Sequence, residues 1–127
     1  MRRGRWLVAA LMAIVLAGCQ SVTMLQDGRV LLVTAAGASL YDPVTNSITP
    51  TGVPGVMRIA HSATLLQDGR VLLAGGAEDE GSLESAELFD PVAGVFTPTG
   101  SLAEGRSMHS ATLLGDGRVL VAGGGVI

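Results

Sequence analysis

Residues 58–76 read RIAHSATLLQDGRVLLAGG and residues 106–124 read RSMHSATLLGDGRVLVAGG, identical at 15 of 19 positions at an offset of 48. The same offset relates residues 42–52 (DPVTNSITPTG) to 90–100 (DPVAGVFTPTG), identical at 7 of 11 positions. A shorter copy comes first: LQDGRVLL at 25–32 returns at 66–73, an offset of 41. The difference of seven residues falls between the second and third strands of the first unit. There Ala35-Ala36-Gly37 stands where the second unit has a longer passage with Ala77-Glu78-Asp79-Glu80-Gly81. Self-similarity at a fixed period of this size is the mark of one supersecondary unit repeated along the chain.

In the complete unit the pattern predicts four strands: A over 61–66, B over 70–75, C over 84–89 and D over 95–99. Asp68-Gly69 joins A to B, as Asp27-Gly28 and Asp116-Gly117 do in the other units. Asp-Gly predicts a two-residue type I′ hairpin turn, in which both central residues need positive φ. The C-to-D turn begins with Asp90-Pro91, matched by Asp42-Pro43. Its later position holds Gly94 or Asn46, both tolerant of the left-handed conformation. Pro50 and Pro98 cannot donate to a sheet ladder, so strand D is expected at an edge. Strands A and B are nearly continuous apolar runs, as expected where both faces are covered. Gly75-Gly76 and Gly123-Gly124 end strand B, where chains must pass closely or bend. Four strands, a period near 48 and an edge-placed D describe one β-propeller blade.

The double glycine after an apolar strand, the downstream Tyr41-Asp42-Pro43 or Phe89-Asp90-Pro91, and the period resemble kelch repeats. The HSATLL and DGRVLLAGG wording is similar to the bacterial kelch and galactose-oxidase-like propeller group. The resemblance covers residues 19–127 and implies an all-β fold: a partial β-propeller of about two and a half kelch-type four-stranded blades. The units fall at about 20–52, 61–100 and 109–127. The chain departs from the pattern in three places. Thr34-Ala35 replaces the first double glycine, Ile48 or Phe96 replaces the usual strand D tryptophan, and the sequence stops after strand B of the third unit. Propellers close with roughly four to eight blades. The expectation is therefore a C-terminally truncated product of a longer propeller gene, poorly stable alone.

Residues 1–18 read as a secretory signal, expected as an N-terminal signal helix. Arg2, Arg3 and Arg5 form a positive n-region, and Trp6 to Ala17 is an apolar stretch of 12. That suits an h-region and is short of the roughly 20 residues a spanning helix needs. Leu16-Ala17-Gly18-Cys19 resembles the lipobox of bacterial lipoproteins. The resemblance implies cleavage between Gly18 and Cys19 and lipid on Cys19, so that the partner is a membrane. Several acyl chains on one residue hold a protein at a bilayer far better than one. The signal implies secretion across the inner membrane, and by the lipoprotein resemblance Gln20 after the cysteine implies anchoring in the outer membrane of the cell envelope.

Composition narrows the function. The formal charge is -3, but residues 19–127 hold five arginines against eleven acids, about -6, and there is no lysine. Nucleic-acid binding needs a basic footprint, so no nucleic-acid partner is expected. One cysteine excludes an internal disulfide framework and a multi-cysteine metal site. His61 and His109 fall at equivalent repeat positions and could face one axial metal, but the repeat itself explains the recurrence, and no metal or other cofactor is expected. Ser62 and Ser110 follow them, yet neighbours on one strand point to opposite faces, so no catalytic residue is expected. Glu78-Asp79-Glu80, with Glu84 and Glu87, reads as a solvated loop rather than a calcium site. Arg58 and Arg106 before strand A are expected to make ion pairs or hydrogen bonds from blade to blade. The overall expectation is an envelope-anchored, non-enzymatic binding or scaffold module for protein or carbohydrate, with its ligand at the propeller rim, on the long B-to-C loops. The alternatives are a fragment of a galactose-oxidase-like enzyme whose catalytic residues lie in other blades, or a non-functional remnant.

Overall fold

The computed structural model describes residues 19–34, 37–78 and 81–125, and these are all-β. The expected signal helix over 1–18 lies outside the described residues. Strands β1 (Cys19–Met24), β2 (Val30–Thr34), β3 (Gly37–Asp42) and β4 (Ser47–Pro50) form one antiparallel sheet in chain order. Strands β5 (Ser62–Leu65) and β6 (Val71–Ala74) belong to the second sheet. The small hairpin β7 (Ala77–Glu78) and β8 (Gly81–Ser82) follows, then β9 (Ala86–Asp90) and β10 (Val95–Pro98). The second sheet runs β5-β6-β9-β10, with β7-β8 inserted between its second and third strands. That hairpin accounts for the extra residues of the second unit. Strands β11 (Ser110–Leu113) and β12 (Val119–Ala122) pair as a two-stranded sheet. The first strands of the three units lie side by side, β5 between β1 and β11.

The strand boundaries follow the expected pattern to within two residues. Pro50 and Pro98 do sit on edge strands, β4 and β10. The core forms where the first two sheets face one another. Leu31, Val33 and Leu40 meet Val71, Leu73 and Phe89, with Phe96 at the margin. Phe89 is fully buried and its ring lies 4.8 Å from that of Phe96, tilted by 43°. Burying one such ring contributes roughly 1.5–3 kcal/mol.

The Asp-Gly turns differ from the expected two-residue form. Each hairpin closes on the arginine: the N–H groups of Leu25, Leu66 and Leu114 donate to the carbonyls of Arg29, Arg70 and Arg118 at 2.7–2.8 Å. Three residues lie between, and only the glycine is left-handed, with φ of 90°, 90° and 91° at Gly28, Gly69 and Gly117. This is a type I turn followed by a left-handed glycine. The aspartate keeps negative φ, and its carboxylate bonds the arginine that closes the hairpin. Asp68 Oδ1 accepts the Arg70 N–H at 3.1 Å and Oδ2 accepts its Nε–H at 2.8 Å, with the same pattern at Asp27 and Asp116. The C-to-D turns are as expected: Asn46 and Gly94 are both left-handed, with φ of 53° and 70°. Asp90 Oδ1 accepts the Val92 N–H at 2.9 Å, and Asp42 treats Val44 alike.

The double glycine of the second unit is required twice over. Gly75 and Gly76 have φ of 65° and 98°. A Cβ on Gly75 would lie 2.6 Å from the Arg106 carbonyl oxygen, and one on Gly76 would lie 2.6 Å from that of Ile59. Gly123 has φ of 75° but open space around it, whereas a Cβ on Gly124 would collide with the Ser107 carbonyl. Gly123→Ala should therefore cost only the left-handed penalty, about 1–2 kcal/mol. Gly75→Ala should add overpacking and reach roughly 3 kcal/mol or more. Denaturant titration of both variants checks this, and equal losses would count against close approach as the reason for Gly75.

Candidate functional site

At the strand-start end of the units, backbone strain positions the two histidines. Ala60 and Met108, each just before a histidine, are left-handed with φ of 54°, a costly conformation for a residue with a side chain. The Met108 N–H donates to the Ala60 carbonyl at 3.0 Å, so one strained corner rests on the other. His61 and His109 then face serines of the preceding unit rather than a common metal position. His61 Nε2 lies 2.9 Å from Ser21 Oγ, and His109 Nε2 lies 3.0 Å from Ser62 Oγ. Among the described residues no group of three or more His, Cys, Asp or Glu side chains could hold a metal ion.

Serine–histidine contact thus exists, but between units and not between chain neighbours. The recurrence of His-Ser at the repeat offset was the available signal. Ser62 Oγ also lies 3.4 Å from the Ala74 carbonyl, so its hydroxyl has an acceptor besides His109 Nε2. A catalytic base must accept the serine proton and be oriented by a third group. Nδ1 of both histidines is buried without a hydrogen-bond partner.

Arg58 does not bridge units as expected. It bonds within its own sheet, donating to the Gly75 and Ser85 carbonyls at 2.8 Å each and to Glu87 Oε2 at 3.0 Å. Glu87 is accordingly no part of a solvated acidic loop. It is 4% exposed and also accepts the N–H of Gly55 at 2.6 Å and of Val56 at 3.3 Å. Glu78 is exposed at the end of β7, Glu84 is exposed before β9, and Asp79 and Glu80 lie outside the described residues.

At the opposite end, the Asp-Gly-Arg turns of the first two units and the turn after β9 enclose an open cleft of about 450 Å³. Arg29, Arg70, Asp27, Asp68 and Asp90 supply its polar groups, and Leu25 and Pro91 part of its apolar wall. Arg29 reaches across to the Pro91 carbonyl at 3.4 Å. The Arg29 backbone N–H holds the Asp27 carboxyl below its usual range, and the Arg70 side chain does the same for Asp68. Charged donors and acceptors therefore stand side by side around neutral pH. Only the turns themselves signal this cleft in the residues, because it forms only when two units meet.

No protein-family model matches the chain, and no curated protein matches it. Among solved structures, it is similar to a novel fungal alcohol oxidase of the AA5 family, described in complex with copper and with catalytic diversity. The identity is 21% and the TM-score 0.65, over 81% of this chain and 24% of that one. The chain thus spans about a quarter of that protein's length. The likeness shows the fold: a galactose-oxidase-like β architecture.

Burial, with the charge of Arg58 adding to it, holds His61 below the ordinary histidine value of 6.5. Burial does the same for His109. The unfolded chain therefore takes up protons near pH 6.5 that the fold refuses. Stability is full above that range and falls as pH drops through it. Asp27 and Asp68 titrate lower and do not interfere. The denaturation midpoint should be lower at pH 5.5 than at 7.5, and the His61→Gln, His109→Gln double variant should lose most of that difference. An unchanged difference in the double variant would assign it elsewhere.

Proposed function

We propose that the chain is an envelope-anchored binding module built of kelch-type propeller blades, each four-stranded sheet being one blade. The repeat period, the edge-placed fourth strand, the side-by-side first strands and the fold likeness support the blade reading. The lipobox resemblance of Leu16-Ala17-Gly18-Cys19 supports attachment through lipid on Cys19. The single observation carrying the binding role is the cleft between the Asp-Gly-Arg turns, where two guanidinium groups and three carboxylates alternate beside apolar surface. A carbohydrate matches that set best among the expected ligand classes. Each hydroxyl both donates and accepts, and neighbouring arginine and aspartate groups can serve both needs.

The copper chemistry implied by galactose-oxidase-type enzymes does not fit the residues described. Tyr41, the one tyrosine, is buried and donates its hydroxyl to Asn46 Oδ1 at 2.9 Å. Both histidines spend Nε2 on serines. No catalytic step is assigned to this chain.

Two experiments bear on these readings. Cys19→Ser should move the protein from the membrane fraction to the soluble fraction and remove an acyl mass at the mature N-terminus. Persistence in the membrane fraction would overturn the anchor. For binding, envelope polysaccharide fragments should show saturation-transfer NMR signals with the native chain. Arg70→Ala should weaken binding about tenfold, the equivalent of roughly 1.4 kcal/mol. Signals unaffected by Arg70→Ala and Arg29→Ala would remove the cleft from consideration.

A further inference from the structure

Asp27-Gly28, Asp68-Gly69 and Asp116-Gly117 place the same pair at the same turn of each unit. An aspartyl–glycine bond carries a reaction of its own. The glycine nitrogen can attack Cγ of the preceding aspartate, because no side chain on the glycine stands in the way. Among the described residues the other aspartates are Asp42 and Asp90, and each precedes a proline, whose nitrogen has no proton to lose and cannot close the ring. The three Asp-Gly carboxyls are about half-exposed, so water reaches them. Yet both reacting groups are held. The glycine N–H donates to the carbonyl of Leu25, Leu66 or Leu114 at 3.0–3.1 Å. Oδ1 of the aspartate accepts the arginine N–H at 3.0–3.1 Å, and Oδ2 accepts its Nε–H at 2.7–2.8 Å. Ring closure must turn the carboxylate out of that grip and pull the glycine nitrogen from the leucine carbonyl. An ionised carboxylate is also a poor electrophile. The Arg29 backbone N–H and the Arg70 side chain, which hold the Asp27 and Asp68 carboxyls below their usual range, keep them in that form.

We propose that Asp27, Asp68 and Asp116 are sites of self-modification to isoaspartate, kept latent by the arginine that follows each Asp-Gly pair. The reaction needs only the chain and water. The glycine nitrogen bonds to Cγ of the protonated carboxyl and gives up its proton. The carboxyl gives up its hydroxyl, so one water leaves and a five-membered imide forms. One water then adds to either imide carbonyl. Addition at Cγ restores aspartate; addition at the α-carbonyl leaves the main chain running through Cγ. The isoaspartyl product carries one more main-chain carbon and an α-carboxylate in place of the side-chain one. The loop that Leu66 and Arg70 close is then too long for its turn. At Asp27 and Asp68 the same change displaces two carboxylates of the cleft. The arginines are positioning residues, acting through the orientation of the carboxylate.

Heavy-oxygen water records each event, because imide hydrolysis leaves one heavy oxygen at the aspartate concerned. The full-length chain in detergent is incubated in it at neutral pH, digested afterwards in ordinary water, and its peptides are weighed by mass spectrometry. Labelling at the three Asp-Gly pairs should be at least tenfold slower in the folded chain than in urea. Arg70→Ala should speed labelling at Asp68 severalfold and leave Asp27 and Asp116 at their native rates. Arg29→Ala, measured in parallel, should do the same at Asp27 alone. Labelling of the folded chain as fast as in urea overturns the proposal, as do unchanged rates at Asp68 and Asp27 in the two variants. A rise at all three sites in both variants also overturns it, because it assigns the effect to lost folding rather than to the missing guanidinium.

Discussion

The buried Arg58–Glu87 pair fixes the corner on which the second unit is built. Taking a guanidinium and a carboxylate out of water costs several kcal/mol per ion, repaid only when the geometry is good and the remaining donors and acceptors are satisfied. Both terminal nitrogens of Arg58 find acceptors, at the end of β6, just before β9 and on β9 itself, while its buried Nε has none. Glu87 adds the backbone N–H groups of Gly55 and Val56 in the passage leading in from the first sheet. One pair therefore locks three segments distant in sequence. Glycines make room for it: a Cβ on Gly55 would press on Glu87 Oε1 at 3.2 Å, and one on Gly76 on the Arg58 Cβ at 3.3 Å.

From that corner the units step along by contacts at both ends and in the middle. At one end a histidine of each later unit reaches the serine of the unit before. At the other end Gln26 Nε2 donates to the Gln67 carbonyl at 3.0 Å, and Gln67 Nε2 to the Gly115 carbonyl at 3.2 Å. Apolar faces meet between them. The third unit keeps both end contacts but, among the described residues, pairs no third strand in the middle, and its burial separates local from neighbour-dependent structure. Its hairpin matches the second unit in the glycine φ and the aspartate–arginine bonds. Yet Val71 and Leu73 are fully buried, whereas Val119 and Val121 are only half-buried. The hairpin is encoded in its own residues; the core is supplied by neighbours, as in repeat proteins generally.

That division explains what could be read from the residues alone. Strand order, the edge position of Pro50 and Pro98, the double glycines and the left-handed Asn46 and Gly94 are local, and the repeat comparison exposes them directly. The Asp-Gly turn differs from the expected type because that type depends on which pair closes the hairpin, and the arginine carbonyl that closes it leaves no mark in composition. Glu87 groups with the solvated acidic loop by sequence proximity, although its alternation with Phe89 already places it on the buried face. The partners of Arg58, His61 and His109 come from elsewhere in the fold, as does the cleft at the Asp-Gly-Arg turns. No single unit reveals them.

The sheet edges add a last distinction. An edge strand offers unpaired backbone groups, and proteins commonly protect such edges with proline, charge or short length. Here β4 ends in Pro50 and β10 in Pro98, each an exposed strand with a residue that cannot donate. Strand β12 reads Val-Leu-Val-Ala, with neither proline nor charge. The edges that carry proline are those with which a unit ends; β12 holds the place to which, in both complete units, a third strand is joined. An apolar, β-branched edge beside Arg106, which meets the largely exposed Glu104 at 3.4 Å, has the chemistry of an interior position. The sequence of β12 is therefore that of a strand meant to be paired on both sides.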